Sequence, residues 1–109
     1  MRLVMRIETT ADETTVWLTG ELDHHAARQL RQQVDLAVER TRPQRLRLDF
    51  SDVSFMDSSG IALVVQSARQ MGAIGGSLTV RGVSRQAMRV FDAAGIPKIV
   101  RFVGKEEKR

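Results

Sequence analysis

A carboxylate and two hydroxyl side chains that could do chemistry stand together where Asp57, Ser58 and Ser59 precede Gly60. An alternating, strand-like pattern comes before these residues, and an apolar pattern of helical spacing comes after them. At a helix start the first N–H groups lack partners and the positive end of the helix dipole is exposed, which favours oxygen atoms and anions. The segment therefore fits two compatible roles. It can supply an Asp or Ser cap, worth about 1 kcal/mol, or a hydroxyl exposed to modification or chemistry.

A small serine hydrolase is one interpretation of these residue types. A catalytic triad would use Ser58, His24 or His25, and Asp23 or Asp57. The nucleophile-elbow pattern Gly-x-Ser-x-Gly, however, has Met56 in place of its first glycine, and no second glycine-rich loop supplies oxyanion donors. A chain of 109 residues also leaves little room for a substrate pocket of about 300 Å³ or more. These features disfavour a hydrolase but leave it open as an alternative.

The composition does not favour a metal, nucleotide or nucleic-acid site. The chain has no cysteine, and its two histidines, His24 and His25, are adjacent, so we expect no metal and no cofactor. Gly72, Gly75 and Gly76 follow a helical pattern and precede a strand, the reverse of the order in a phosphate loop. The net charge of +4 comes from scattered basic residues without interleaved aromatic residues, which argues against a nucleic-acid partner.

Hydrophobic periodicity predicts the element order ββαβαβαβ. Strands are predicted at 4–8, 14–19, 45–50, 77–81 and 98–103, with Gly20 ending the second strand. Helices are predicted from a cap near Asp23 to Arg42, over about 58–71, and from a cap at Ser84 to Ala94. Strands separated by helices require crossovers. The fold class is therefore α/β, with a mostly parallel sheet, an N-terminal edge hairpin and right-handed βα crossovers. Residues 1–109 should form a single domain.

In sheets of this kind, functional groups collect at the carboxyl ends of the strands. Asp23 follows the second predicted strand and Ser58 the third, while Gly82 and Ser84 follow the fourth, so we expect all of them at one edge. Asp23 should lie close to Ser58 because their strands are neighbours. If Ser58 opens the helix, its hydroxyl should point to solvent, whereas Ser59 should lie toward the packed first turn.

The composition is that of a soluble globular protein, with 42% hydrophobic and 28% charged residues. No apolar run approaches the roughly 20 residues of a membrane span, and the N-terminus has no signal-peptide core. We therefore expect a cytoplasmic protein with no membrane partner. The mixed-charge end at 105–109 should form a frayed tail.

Three stretches of the sequence resemble the anti-sigma factor antagonists of the STAS-domain family. They are Gly20-Glu21-Leu22-Asp23-His24-His25, Ser54-Phe55-Met56-Asp57-Ser58-Ser59-Gly60 and Phe91-Asp92-x-x-Gly95. The resemblance covers nearly the whole chain. The Glu-Leu-Asp-His-His run is typical of the sporulation branch, which acts in the sigma-F pathway of spore-forming bacteria. Two departures are Ile61-Ala62, where Leu-Gly is more usual, and the end at Arg109, where relatives usually continue into a terminal helix.

The resemblance implies a STAS fold and a binding protein that is switched by phosphorylation. We therefore predict that the chain is not an enzyme and has no catalytic residues. The unmodified family member binds an anti-sigma factor that is also a serine kinase and thereby releases the sigma factor. Phosphorylation, here on Ser58, inactivates it, and a PP2C-type phosphatase reverses the modification. We expect the partner surface to consist of Asp23, His24, His25, Asp57, Ser59 and Gly60, and the free protein to be a monomer. The alternative within the family is an antagonist in a general stress sigma-factor pathway.

Overall fold

A five-stranded sheet with its strands in chain order, β1-β2-β3-β4-β5, forms the centre of the fold. The computed structural model describes residues 2–104, so the predicted tail at 105–109 lies outside the described residues. The elements are β1 (Val4–Thr9), β2 (Glu13–Leu22), α1 (His24–Thr41), β3 (Arg45–Met56), α2 (Ser59–Ala73), β4 (Ser77–Arg81), α3 (Arg85–Ala93), a 3₁₀ turn (Ile96–Lys98) and β5 (Arg101–Val103). The predicted α/β class and element order are confirmed.

Strand pairing follows the predicted arrangement of an edge hairpin on a parallel sheet. β1 pairs antiparallel with β2, and every other neighbouring pair is parallel. The overlap of the strands is uneven, because β3 pairs with β2 as far as Leu22 and Met56 but with β4 only as far as Asp49 and Arg81. The last part of β3, residues 50–56, therefore projects beyond the end of β4.

The core is built from the apolar residues that recur at helical spacing on the helices and at alternate positions on the strands. On α1 the buried residues Ala27, Leu30, Val34 and Val38 recur every three to four positions, as an amphipathic helix requires. On β2 and β3 the buried side chains include Val16, Leu18, Leu46 and Leu48. Phe91 of α3 packs between Phe50 and Phe102, with ring centroids 5.9 and 5.2 Å away. These contacts fix α1 and α3 relative to the sheet.

An ion pair joins β3 to β4 where their pairing ends. The Asp49 carboxylate accepts from the Arg81 guanidinium at 3.0 Å and from the Ser51 N–H at 2.8 Å. The side chains of Asp49 and Arg81 are only 7% and 13% exposed. Buried charges are tolerated when they are paired and hydrogen-bonded in this way.

Three predicted strand boundaries are wrong. β2 does not end at Gly20 but continues to Leu22, because Gly20 sits at an irregularity in the strand with φ of +116°. β3 continues past residue 50 to Met56, because β2 pairs with it over that length. The last strand begins at Arg101 rather than at 98, because Pro97 belongs to the 3₁₀ turn and has no N–H for a strand ladder.

Candidate functional site

The candidate site lies where β2 and β3 end side by side and two helices begin. Leu22 and Met56 are the last register pair, and the Asp57 N–H donates to the Leu22 carbonyl oxygen at 3.2 Å. Asp23 and Asp57 are the next residues of the two strands, so the start of α1 lies next to the start of α2. The structure therefore brings Asp23 to the segment that carries Ser58, as the neighbouring strands predict.

Both helix starts are capped by an aspartate. The Asp23 carboxylate accepts from the Ala26 N–H at 2.9 Å, which confirms the predicted cap of α1. At α2 the Asp57 carboxylate accepts from the Ser59 N–H at 2.8 Å. Ser58 occupies the N-cap position of α2, but its side chain makes no capping hydrogen bond. Capping therefore falls to Asp57, and the exposed Ser58 hydroxyl takes no part in it.

The two adjacent serines face different grooves. The Ser59 hydroxyl is half-buried, with its Oγ 3.3 Å from His24 Nδ1, and it lines a groove on the side of α1. The other residues of that groove are His24, Ala27, Arg28, Arg31 and Ala62. Ser58 lines a separate groove on the side of α3, together with Ile61, Arg89, Val90, Ala93 and Ala94. A partner that reaches one hydroxyl along its groove does not thereby reach the other.

The two predicted histidines do not share one environment. His24 contacts Ser59, whereas His25 lines a third groove, between α1 and β1, with Arg2, Met5 and Asp23 among its neighbours. Successive residues at a helix start point about 100° apart around the axis, which explains the separation. Of the two histidines, only His24 has a hydrogen bond to the 57–60 segment within residues 2–104.

Gly60 is buried because the Met56 side chain packs directly against it. A methyl group added at Gly60 would lie 2.3 Å from Met56 Sδ and 2.8 Å from Met56 Cγ. Met56 itself is completely buried. The glycine of this segment is thus required by packing between the end of β3 and the start of α2.

Gln86 on α3 is a residue of this site that the sequence did not predict. Its side-chain amide donates to the Met56 carbonyl oxygen at 2.7 Å and accepts from the Met56 N–H at 3.1 Å. It thereby satisfies the edge of β3 where β4 has already ended. The available signal was the polar side chain at a helical position near the predicted core face. Exposed Phe55, 45% accessible, is a second residue that was missed.

Gly82 and Ser84 follow the carboxyl end of β4, as predicted, but at a different level of the sheet from Ser58. Gly82 packs against Ser51, whose Cα would be 3.1 Å from a carbon added at Gly82. The reason is the stagger of the sheet, because β4 ends at the level of Asp49. Ser84 caps α3 by accepting from the Ala87 N–H at 3.1 Å, as predicted. The element that follows β4 contacts the site through Gln86 of α3, which is bonded to the Met56 backbone.

The hydrogen bonds at this edge do not link the side chains of a serine triad. His24 bonds to Ser59 rather than to Ser58, and the Asp23 carboxylate accepts from the backbone of α1. Within residues 2–104 there is no cluster of three or more side chains suited to holding a metal ion. Over the same range, no helix combines the length and the apolar character needed to cross a membrane.

Comparison with known proteins places the chain in a family. A family model described as "Mlab, STAS domain" matches residues 5–101, and the chain therefore belongs to the STAS-domain family. Anti-sigma factor antagonists are among its relatives. The chain is 32% identical over 100 residues to the anti-sigma F factor antagonist of Paenibacillus polymyxa, covering 92% of this chain and 86% of that protein. It is 29% identical over 107 residues to the anti-sigma-B factor antagonist of Bacillus subtilis, covering 98% and 96%.

The anti-sigma factor antagonist SpoIIAA is similar to this chain in structure. Its unphosphorylated form superimposes with a TM-score of 0.82 at 30% identity, covering 95% of this chain and 91% of that one. Its phosphorylated form, from Bacillus, superimposes with a TM-score of 0.73 at the same identity and covers 95% of each chain. The fold and these relatives define the chain as a STAS-type anti-sigma factor antagonist.

Proposed function

We propose that this antagonist is switched by phosphorylation on Ser58. In its unmodified form it binds an anti-sigma factor that is also a serine kinase and so releases a sigma factor, and phosphate on Ser58 ends that binding. A PP2C-type phosphatase then restores the active form. The observation that carries the proposal is the exposed Ser58 hydroxyl at the start of α2, which makes no capping hydrogen bond. Two structures of SpoIIAA, one unphosphorylated and one phosphorylated, give it support from a relative.

The surroundings of the two serines favour Ser58 over Ser59 as the acceptor. Ser59 is half-buried, its N–H is held by Asp57 and its hydroxyl by His24. Modification of Ser59 would have to break the contact with His24 and place a phosphate between α1 and α2. Ser58 needs neither change, because its hydroxyl is exposed.

The charge of the phosphate explains why binding would end. A phosphoserine carries about −1.5 to −2 charges near neutral pH. In the free protein, water and the N-terminus of α2 accommodate this charge, so the fold should change little. In a complex the same group would be desolvated beside Asp57 and Asp23. A 100-fold loss of affinity corresponds to about 2.7 kcal/mol, which one such group can supply.

The proposed partner surface surrounds Ser58 on the ends of β2 and β3. It comprises Asp23, His24, His25, Asp57 and Ser59, with Gly60 buried behind them, and we add the exposed aromatic ring of Phe55. Exposed aromatic side chains are enriched where protein partners bind. The free protein is proposed to be a cytoplasmic monomer that needs no cofactor.

The pathway proposed for this chain is that of the sporulation sigma factor, sigma F. The Glu-Leu-Asp-His-His run at 21–25 supports it, together with the Paenibacillus polymyxa relative. The general stress pathway is the second candidate, and the relative from Bacillus subtilis favours it. Binding of the chain to the anti-sigma kinase of each pathway, compared at equal concentrations, would distinguish the two.

The test is to incubate the chain with ATP and the anti-sigma kinase and to locate phosphate by mass spectrometry. We expect one phosphate, on Ser58. Ser58→Ala should bind the kinase and accept no phosphate, and the matched variant Ser59→Ala should still be phosphorylated. Ser58→Glu should bind about 100-fold more weakly than the unmodified chain while keeping its fold. Phosphate on Ser59 in the intact protein, or full affinity of Ser58→Glu, would contradict the proposal.

Two variants with neighbouring positions test the partner surface. His24→Asn removes the imidazole that contacts Ser59, and His25→Asn changes the groove on the side of β1. If the partner covers the Ser58 segment, we expect His24→Asn to weaken binding more than His25→Asn does. Titration calorimetry with the unphosphorylated chain measures this difference. Equal affinities of both variants and the parent would remove the histidines from the proposed surface.

A further inference from the structure

The groove that contains Ser58 also contains a cationic side chain. Arg89 of α3 lines it, and the remaining lining residues, Ile61, Val90, Ala93 and Ala94, are apolar. Arg89 is exposed and forms no ion pair with any described residue. The groove therefore combines a hydroxyl, a guanidinium group without a carboxylate partner within residues 2–104, and apolar side chains from α2 and α3.

The position of Arg89 is set by the attachment of α3 to β3. Gln86 holds α3 to the backbone of Met56 through two hydrogen bonds, at 2.7 and 3.1 Å. Arg89 and Val90 follow Gln86 by three and four residues, so they lie on the same face of the helix, one turn further on. Because Met56 is two residues before Ser58, this face of α3 continues alongside the start of α2.

We infer that Arg89 binds the phosphate of phosphorylated Ser58 within the same chain. This inference rests on the proposed function, since it concerns the phosphorylated form of that site. The guanidinium group of Arg89 presents paired N–H donors that match phosphate oxygens. The apolar walls reduce competition from water on one side of the contact.

The other charged groups of these elements do not provide the same contact. Asp57 precedes Ser58 and repels the phosphate, while Arg85 and Asp92 lie on α3 without lining this groove. Arg28 and Arg31 line the separate groove of Ser59. A phosphate held by Arg89 lies against α3 in the free chain. Binding of the kinase partner would therefore require this ion pair to be broken or buried.

The test uses the full chain with phosphoserine incorporated at position 58 during translation, so that it does not depend on a kinase. The acid dissociation of the phosphate is followed by ³¹P NMR as a function of pH. A cation beside the phosphate favours the dianion and lowers its pKa. We expect R89Q to raise this pKa, with an approximately threefold smaller dissociation constant, as suits an exposed ion pair. R28Q, which changes an exposed arginine of the other groove, should leave it unchanged.

Thermal unfolding of four proteins provides the second measurement. These are the parent chain and R89Q, each with serine or phosphoserine at position 58. We expect phosphorylation to change the melting temperature of the parent little and to lower that of R89Q, while the unphosphorylated forms melt at similar temperatures. Equal pKa values in the parent and R89Q would overturn the inference, and so would equal effects of R89Q and R28Q.

The two proposals fail in different experiments. If the kinase modifies another residue, or if phosphorylation does not weaken binding, the proposed function fails. The contact between Arg89 and the encoded phosphoserine is still measured by the NMR titration. If the titration shows no effect of R89Q but the kinase assay succeeds, only this inference is wrong.

Discussion

Gly60→Ala is the substitution that most directly tests how the start of α2 is packed. The added carbon would lie 2.3 Å from Met56 Sδ, and Met56 is completely buried, so its side chain can move only by displacing its neighbours. Overpacking of this kind costs about 1–3 kcal/mol. Alanine is favoured over glycine in a helix by about 1 kcal/mol at most. We therefore expect the free energy of unfolding to fall by up to about 2 kcal/mol.

The same helix offers a matched control at Gly72. A carbon added there meets nothing within 4 Å, so Gly72→Ala changes helix propensity without changing packing. We expect this variant to gain about 0.5–1 kcal/mol of stability. Urea unfolding followed by the fluorescence of Trp17 measures both variants, and the two substitutions should shift the midpoint in opposite directions.

A double-mutant cycle tests whether contact with Met56 causes the loss of stability in Gly60→Ala. Met56→Ala leaves a cavity and should cost about 2–5 kcal/mol. With Met56 already truncated, Gly60→Ala should cost nothing or stabilise, which corresponds to a coupling energy of about 1–3 kcal/mol. If Gly60→Ala alone stabilises the chain as Gly72→Ala does, the packing argument is refuted. Gly60 would then be required only by the approach of a partner.

Three further substitutions test a helix cap, a buried ion pair and a strand irregularity. Asp23→Ala removes the side-chain cap of α1 and should cost about 1 kcal/mol in urea unfolding; an unchanged midpoint would contradict the capping role. Arg81→Met leaves the buried Asp49 carboxylate without its cation and should cost about 3 kcal/mol or more; a loss below about 1 kcal/mol would mean that water replaces the arginine. Gly20→Ala adds a side chain at φ of +116°, 2.6 Å from the Arg2 carbonyl oxygen. It should cost about 3 kcal/mol, measured by thermal unfolding, and a change within about 0.5 kcal/mol would show that the strand irregularity relaxes.

Local patterns predicted the elements that local interactions determine. The cap at Asp23 and the apolar positions of α1 lie in one continuous segment, and the structure has that helix start as predicted. The end of β3 was missed because Ser51, Asp52 and Ser54 interrupt its apolar alternation. Pairing with β2 keeps this segment extended. That contact joins residues more than thirty positions apart, which no periodicity within the segment can reveal.

In the candidate site, too, the sequence predicted the features that depend on local order and missed those that depend on tertiary contacts. The exposure of Ser58 and the more packed position of Ser59 follow from their order at the start of a helix, and the sequence predicted both. The separation of the two serines into different grooves depends on where α1 and α3 pack, and hence on tertiary contacts. The bond between Gln86 and Met56 spans thirty residues and became visible only with the structure.

The use of Asp57 rather than Ser58 as the cap of α2 affects how long each form of the protein would persist in a cell. If a capping serine were modified, the fold would lose about 1 kcal/mol, and the unfolded fraction open to proteases would rise about fivefold. Here the helix start is held by the carboxylate of Asp57, which the phosphorylation proposed for Ser58 would leave in place. Under that proposal the two forms would have equal lifetimes, and the cellular signal would report the ratio of kinase to phosphatase activity rather than the rate of degradation.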